Sequence, residues 1–348
     1  MLADELDYVL GVDTHRDEHV VAVVTAPAGA VVAGAAAPAN AHGYRELLRV
    51  AERHAPGRRA WAIEGTGSYG AGLSRYLHAR GESVLEVSRI ARGERRLRGK
   101  DDALDAARTA RAALASDTLA LPRRGERREA LRLLLVARRS AVDVRREALT
   151  QLRAVIVTAP ELLRQELCRL PKGKLLDRCS RFRRSSSSAD ELATRIVLRS
   201  LARRIRTATI EADELEQEIL AHVRALAPAL LDEAGVGPIV AAQLIVAWSH
   251  HGRLRSEACF ARLAGVAPVP ASSGQTTRHR LSRGGDRQLN RALHTIVLHR
   301  RQHDPATRDY IARRISEGKS PRDATRLLKR YLARHLYRLL ENQEPLMA

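Results

Sequence analysis

The chain has 348 residues, 45% of them hydrophobic and only 3% aromatic, with a formal net charge of +20 and an isoelectric point near 11.0. That length predicts about two or three domains, with cores resting on Leu, Val, Ile and Ala, and the charge points to a polyanionic partner, most commonly nucleic acid. Three scattered cysteines (Cys168, Cys179, Cys259) exclude a disulfide framework or a cysteine zinc site, and no apolar run approaches the ~20 residues of a membrane span. Arg greatly outnumbers Lys, which favours bidentate phosphate contacts, although a GC-rich genome produces the same bias. The acidic start (Asp4, Glu5, Asp7) lacks a signal-peptide pattern. The expectation is a soluble protein of a reducing cytoplasm.

Residues 8–12, 18–25 and 30–37 read as strands, the second a valine-rich run. A helix is predicted over 41–54, a strand over 59–64, a helix over 69–80 and a short strand over 83–87. A further helix begins near Asp102 and runs to about residue 115. The order β-β-β-α-β-α-β-α is that of the ribonuclease H-like fold. From Arg124 to about Thr158 the apolar residues keep helical spacing, and Ala189–Leu226 resumes it. Residues 171–189, with Lys172, Lys174, Arg183, Arg184 and a run of serines, read as a flexible basic interruption. The two long helices suggest an antiparallel coiled-coil arm; a plain helical hairpin is the alternative. In the last third, Gly235-Val-Gly237 between two helices has the form of a helix-hairpin-helix, whose glycines allow phosphate to approach a helix N-terminus. The closing helix, 322–340, has an apolar stripe and a basic outer face.

Four carboxylates carry the chemistry. Asp13 follows the apolar run Tyr8–Val12, Glu64 follows Trp61–Ile63, and Asp102 and Asp105 open one helix. Acids at two strand ends and on one helix turn could converge into an oxygen cage suited to Mg²⁺. Paired ions of this kind activate the attacking oxygen and stabilise the leaving one in phosphodiester chemistry. In isolation such acids are more often solvated or capping groups; their joint placement on this strand order argues otherwise. His15 and His19 lie four apart, but in a strand region, so a zinc pair is disfavoured. Gly318-Lys319-Ser320 imitates the end of a P-loop without its upstream glycine or preceding strand, which argues against ATP use. A Ser-Ser-Gly step at Ser272–Gly274 sits in an Arg-rich stretch containing Arg278, Arg280 and Arg283. A serine there could attack a phosphodiester, but taken alone the step reads as a turn.

Taken together, these motifs resemble the DEDD transposases of the insertion sequence 110 family, RNA-guided recombinases also related to the pilin-gene invertases. The resemblance is carried by Gly11–His15, Ile63–Tyr69, Lys100–Ala106, Gly235–Gly237, Leu263–Pro268, Ser272–Gly274 and Gly318–Pro321. It implies a ribonuclease H-like (RuvC-like) catalytic domain over 1–118, a helical coiled-coil arm over 119–228, and a mostly α C-terminal transposase domain over 229–348. It places the metal-binding tetrad on Asp13, Glu64, Asp102 and Asp105, with Mg²⁺ as the cofactor. Asp101 stands where the family has Thr or Ser, but Asp102 lies three before Asp105 and so shares its helical face. The resemblance puts the nucleophile at Ser273, with Ser272 as the fallback. It also implies nucleic-acid contacts at Gly235, Gly237, Arg278, Arg280 and Arg283. The implied partners are donor and target DNA, a structured bridge RNA and further copies of the chain as dimers and tetramers, in the bacterial cytoplasm and at the nucleoid when DNA-bound. The rivals are a metal-dependent nuclease of the Holliday-junction type using the tetrad alone, and a non-enzymatic basic nucleic-acid binder with vestigial acids.

Overall fold

The computed structural model describes residues 2–26, 28–87, 102–116, 119–183, 185, 188–271, 279–280, 282 and 284–342. Two compact units divide the chain: Met1–Gly125 with Ser249–Ser256, and Glu126–Trp248 with Glu257–Ala348.

The first unit is a mixed sheet covered on both faces. Its strands are β1 (Tyr8–Thr14), β2 (Glu18–Thr25), β3 (Val31–Pro38), β4 (Arg59–Glu64) and β5 (Val84–Val87). Among the described residues they lie in the order β3-β2-β1-β4-β5. β1–β2 and β2–β3 pair antiparallel, while β4 runs parallel to both β1 and β5. This is the mixed α/β arrangement expected of the first three strands and two crossovers.

Side-chain alternation along the strands gives each sheet face its own core. Leu10, Val12, Val21, Val23, Trp61 and Ile63 point to one side, where they pack with Leu47, Leu73 and Leu77. Those leucines come from α1 (Ala41–His54) and α2 (Ala71–His78). Asn40 caps α1, its side chain accepting from the backbone N–H groups of His42 and Gly43. Trp61 is fully buried, and its indole Nε1–H donates to Glu82 at 2.9 Å. Arg59 donates to both carboxylate oxygens of Glu82 at 3.0 and 2.6 Å and also to the Ala55 carbonyl at 3.0 Å. The polar end of this core is therefore closed by a paired, satisfied charge cluster.

The opposite face combines Val9, Val24 and Val87 with small residues where α3 crosses it. Ala22 meets Ala106 and Ala107, and Val9 and Ala62 meet Ala110, Ala113 and Leu114, all on α3 (Asp102–Leu114). At Gly11 the helix comes closest: a Cβ there would fall 2.0 Å from the Ala106 carbonyl oxygen and 2.6 Å from the Ala110 nitrogen. Only glycine permits this approach, because the obstruction is backbone. The segment Ser249–Ser256 completes the unit. Arg253, with a nearly buried side chain, donates to the Leu121 carbonyl at 3.0 Å, and the Ser249 hydroxyl accepts from the Arg124 N–H at 3.0 Å.

The second unit is helical. α4 (Glu126–Val157) and α7 (Ala189–Leu226) pack along one another. Arg138 pairs with Glu216 at 2.6 Å, while Leu152 shares a core with Leu198, Leu201 and Ile205, so the helices run antiparallel. Between them lie α5 (Glu161–Cys168) and α6 (Lys172–Ser180). The basic interruption expected over 171–189 is therefore helical in its first half. Leu175, Cys179 and Phe182 are buried in the core of the helical pair, and that burial outweighs the surrounding Lys and Arg, which need only reach water.

The remaining elements are α8 (Pro238–Trp248), α9 (Glu257–Leu263), β6 (Val269–Pro270), β7 (His279–Arg280), α10 (Arg287–His303), α11 (Pro305–Ser316) and α12 (Pro321–Glu341). α8 is apolar on nearly every side because α4, α7, α10 and α12 all touch it. Ser320 is the N-cap of α12, with Pro321 as the first helical residue. Its P-loop likeness is thus a capping motif. Among the described residues, no helix is long and apolar enough to cross a membrane.

Candidate metal centre

Strand alternation and the approach of α3 build the centre. Val12 pairs with Ile63 across the parallel β1–β4 step, so Asp13 and Glu64 follow at neighbouring strand ends. Both continue the alternation of Gly11 and of Ala62, which face α3. The Thr14 hydroxyl donates to the Glu64 carbonyl at 3.0 Å and ties the two ends together. Gly65 then turns with φ of +73°, a conformation that favours glycine. Because α3 lies on Gly11, its first turn overhangs the end of β1 and carries Asp102 and Asp105 there.

Asp13, His15 and Asp102 converge, with one donor atom of each lying within 4.8 Å of the others. His15 Nε2 is 3.3 Å from Asp13 Oδ2 and 3.4 Å from Asp102 Oδ2. This nitrogen is buried and meets both carboxylates obliquely, with only a weak hydrogen bond to Asp13. Burial raises the Asp13 carboxyl above the ordinary range; the His15 ring opposes this, and the charges of Asp102 and Asp105 add to it. A carboxylate held among like charges is what a divalent cation would relieve, and two carboxylate oxygens with an imidazole nitrogen form a suitable donor set. The residues present therefore fit a divalent cation.

Asp105 lies one helical turn beyond Asp102, with an Arg108 guanidinium donating to it at 2.9 Å. It reaches Asp13 through its field rather than by joining the three close donors. Glu64 also stands outside that trio, though on the strand beside it. His19 falls on the other face of the sheet, fully buried and stacked on Tyr44 with ring centroids 5.8 Å apart. Its Nδ1 meets the Glu18 carbonyl at 3.1 Å, and burial lowers its pKa. The residue that sequence reasoning undervalued is His15. Its signal was the two-residue spacing from Asp13, which carries the face alternation one residue past the end of β1.

Asp101, Ser272, Ser273, Arg278 and Arg283 lie outside the described residues, and of Arg280 only the backbone, in β7, is described. The roots of the serine segment are described, and they are clamped together. Val269 pairs with Arg280 and Pro270 with His279. The Asp286 N–H donates to the Leu263 carbonyl at 2.7 Å, and Asn290 donates to the Ala264 carbonyl at 2.7 Å. The buried Lys329 ammonium in turn donates to Asn290 Oδ1 at 2.5 Å. Gly235, with φ of +83°, backs onto His299 and Ile296, whereas Gly237 has open space where a side chain would be.

Residues 10–159, which include all four acids, match a family model for DEDD transposases of IS110, described simply as transposase. Residues 227–312, which include the Gly235–Gly237 turn and the serine segment, match a model described as the transposase IS116/IS110/IS902 family. The chain belongs to the IS110 transposase family. It is 33% identical over 150 residues to the insertion element IS110 uncharacterized 43.6 kDa protein of Streptomyces coelicolor. That alignment takes in 42% of this chain and spans 37% of the relative's length.

Proposed function

We propose that this chain is a DNA transposase that cuts and rejoins DNA by transesterification at a divalent-metal centre. The convergence of Asp13, His15 and Asp102 beneath the first turn of α3, in a chain of this family, is the observation that carries the reading. Asp13, Glu64, Asp102 and Asp105 serve as the metal-holding acids and Mg²⁺ as the ion, which when bound polarises the phosphate and stabilises the leaving oxygen.

Ser273, or Ser272 in its place, is the nucleophile. Its hydroxyl oxygen bonds to phosphorus as the bond to the departing deoxyribose oxygen breaks, leaving one strand on the serine and one ending in a hydroxyl. A strand hydroxyl then displaces the serine, so joining consumes neither water nor nucleotide. Arg278, Arg280 and Arg283 offset the charge that gathers on the phosphate, and the Gly235–Gly237 turn, as a helix-hairpin-helix, contacts backbone phosphate. The net charge of +20 suits a protein that grips backbone and shape and leaves sequence choice to a pairing bridge RNA.

The working division is a ribonuclease H-like catalytic domain over 1–118, a coiled-coil arm over 119–228 and a transposase domain over 229–348. Homodimers pairing as tetramers would act on DNA in the cytoplasm, at the nucleoid.

The test is strand cleavage and joining on the element's own end sequences, with purified protein, Mg²⁺ and the RNA transcribed beside the gene. Asp13→Asn and Ser273→Ala are each expected to lower joining by about 10³-fold or more. Cleavage that survives Ser273→Ala together with Ser272→Ala, but not Asp13→Asn, would assign the chain to metal-dependent nucleases instead. DNA binding indifferent to Mg²⁺ and to Asp13→Asn, with no strand breakage, would make it a basic architectural binder.

A further inference from the structure

We infer that His15 is itself a ligand of the cation, so that the centre is a mixed oxygen and nitrogen site rather than an all-carboxylate one. This rests on reading the Asp13 and Asp102 cluster as a metal centre. The separations are the first argument. Two donors each about 2.1 Å from one ion stand about 3.0 Å apart at a right angle and about 3.4 Å apart at the tetrahedral angle. His15 Nε2 stands 3.3 Å from the Asp13 oxygen and 3.4 Å from the Asp102 oxygen, which is the spacing of donors sharing one ion.

Alignment is the second argument. An imidazole placed to orient a carboxylate would aim an N–H squarely at one oxygen; here Nε2 is buried between two and meets both obliquely, its hydrogen bond to Asp13 being the weakest influence on that carboxyl. The third is how the ring is held. The His15 backbone N–H donates to the Glu18 carbonyl at 3.0 Å, which fixes the residue at the mouth of the β1–β2 turn, on the side that Asp13 faces. The β1–β2 turn thus positions the His15 backbone independently of α3.

A nitrogen donor has a chemical consequence. Mg²⁺ takes oxygen ligands almost exclusively, whereas Mn²⁺ and later first-row ions accept imidazole readily. The centre should therefore favour Mn²⁺ over Mg²⁺ by more than four carboxylates would.

The experiment uses the full chain with Mn²⁺ as the probe, following affinity by titration calorimetry and ligation by pulsed electron paramagnetic resonance. Wild type should show ¹⁴N coupling to bound Mn²⁺. His15→Gln should lose that coupling and bind Mn²⁺ at least about tenfold more weakly, with Mg²⁺ affinity changing less. His15→Asp should recover binding without the coupling and move the preference back toward Mg²⁺. Far-UV circular dichroism confirms that each variant is folded. Bound Mn²⁺ without ¹⁴N coupling in wild type, or an unchanged affinity in folded His15→Gln, overturns the assignment and leaves His15 as a counter-charge beside the acids. If wild type binds no Mn²⁺, or Asp13→Asn and Asp102→Asn leave binding intact, the metal-centre reading fails, and the His15 assignment fails with it.

Discussion

The two faces of the N-terminal sheet are cut from the same strands but solve different problems. Towards α1 and α2 the strands present Leu10, Val12, Val21, Val23, Trp61 and Ile63, large side chains that fill volume. At its polar end, Glu82 is matched by Arg59 and Trp61. Towards α3 they present Gly11, Ala22 and Ala62 beside Val9, Val24 and Val87, and the helix answers with Ala106, Ala107, Ala110, Ala113 and Leu114. Small residues bury less apolar area per position, but they let backbones approach. That proximity brings the first turn of α3 to the end of β1 and leaves Asp13 half-buried among other acids. One face is optimised for stability. The other holds like charges together at the end of β1, where burial and the nearby acids raise the Asp13 carboxyl above its ordinary range.

The most direct way to break this contrast is Gly11→Ala. A single methyl group would collide with the α3 backbone, which cannot rotate away as a side chain can. We expect a loss of about 3 kcal/mol or more in urea unfolding, with divalent-cation binding abolished because Asp102 is displaced from Asp13. Near-normal stability and binding would mean that α3 is not held by this contact.

Glu82→Gln probes the other face and should cost about 1–3 kcal/mol by removing charge-assisted bonds to Arg59 and Trp61, with cation affinity unchanged. Arg59 and Trp61 hold the Glu82 carboxyl below its usual range, against the opposing effect of burial. Its folded value is depressed, so its stabilising contribution is present above the ordinary carboxylate pKa and lost as pH falls through the lowered one. The acid limb of the stability curve should therefore be shallower in Glu82→Gln than in wild type. Equal slopes would show that Glu82 plays no part in acid unfolding.

Asp13→Asn sharpens the comparison from the side of the site and is the smallest effect. Without divalent cation it should stabilise the protein by about 1 kcal/mol, since a half-buried charge facing Asp102 and Asp105 is removed. Adding Mn²⁺ should then raise the melting temperature of wild type but not of the variant. A variant less stable than cation-free wild type would show that this face carries no electrostatic cost.

Much of this was legible before any coordinates. Alternating apolar positions followed by an acid located Asp13 and Glu64 at strand ends, and the helical spacing after Asp102 placed α3. Each acid alone would read as a solvated or capping group; they were legible only through their joint placement on one strand order. His15 was not, because a four-residue histidine spacing signals a metal pair only on a helix, whereas His15 shares the face of Asp13 by strand alternation carried one residue past the end of β1. The helix within the basic segment after Pro171 was hidden for a related reason. Leu175, Cys179 and Phe182 are too few to stand out among Lys and Arg, and they count only once a helical pair offers them a groove.

Local pattern determined the elements themselves, the acids that end β1 and β4, the long amphipathic helices and the strongly basic surface. Each depends on neighbours along the chain, through strand alternation, helical period or summed charge. Only the tertiary structure decided that α3 lies on Gly11, that Asp102 and His15 meet Asp13, and that His19 turns away into the opposite core. Those outcomes are set by which backbone can approach which, a relation between residues far apart in sequence that no periodicity records.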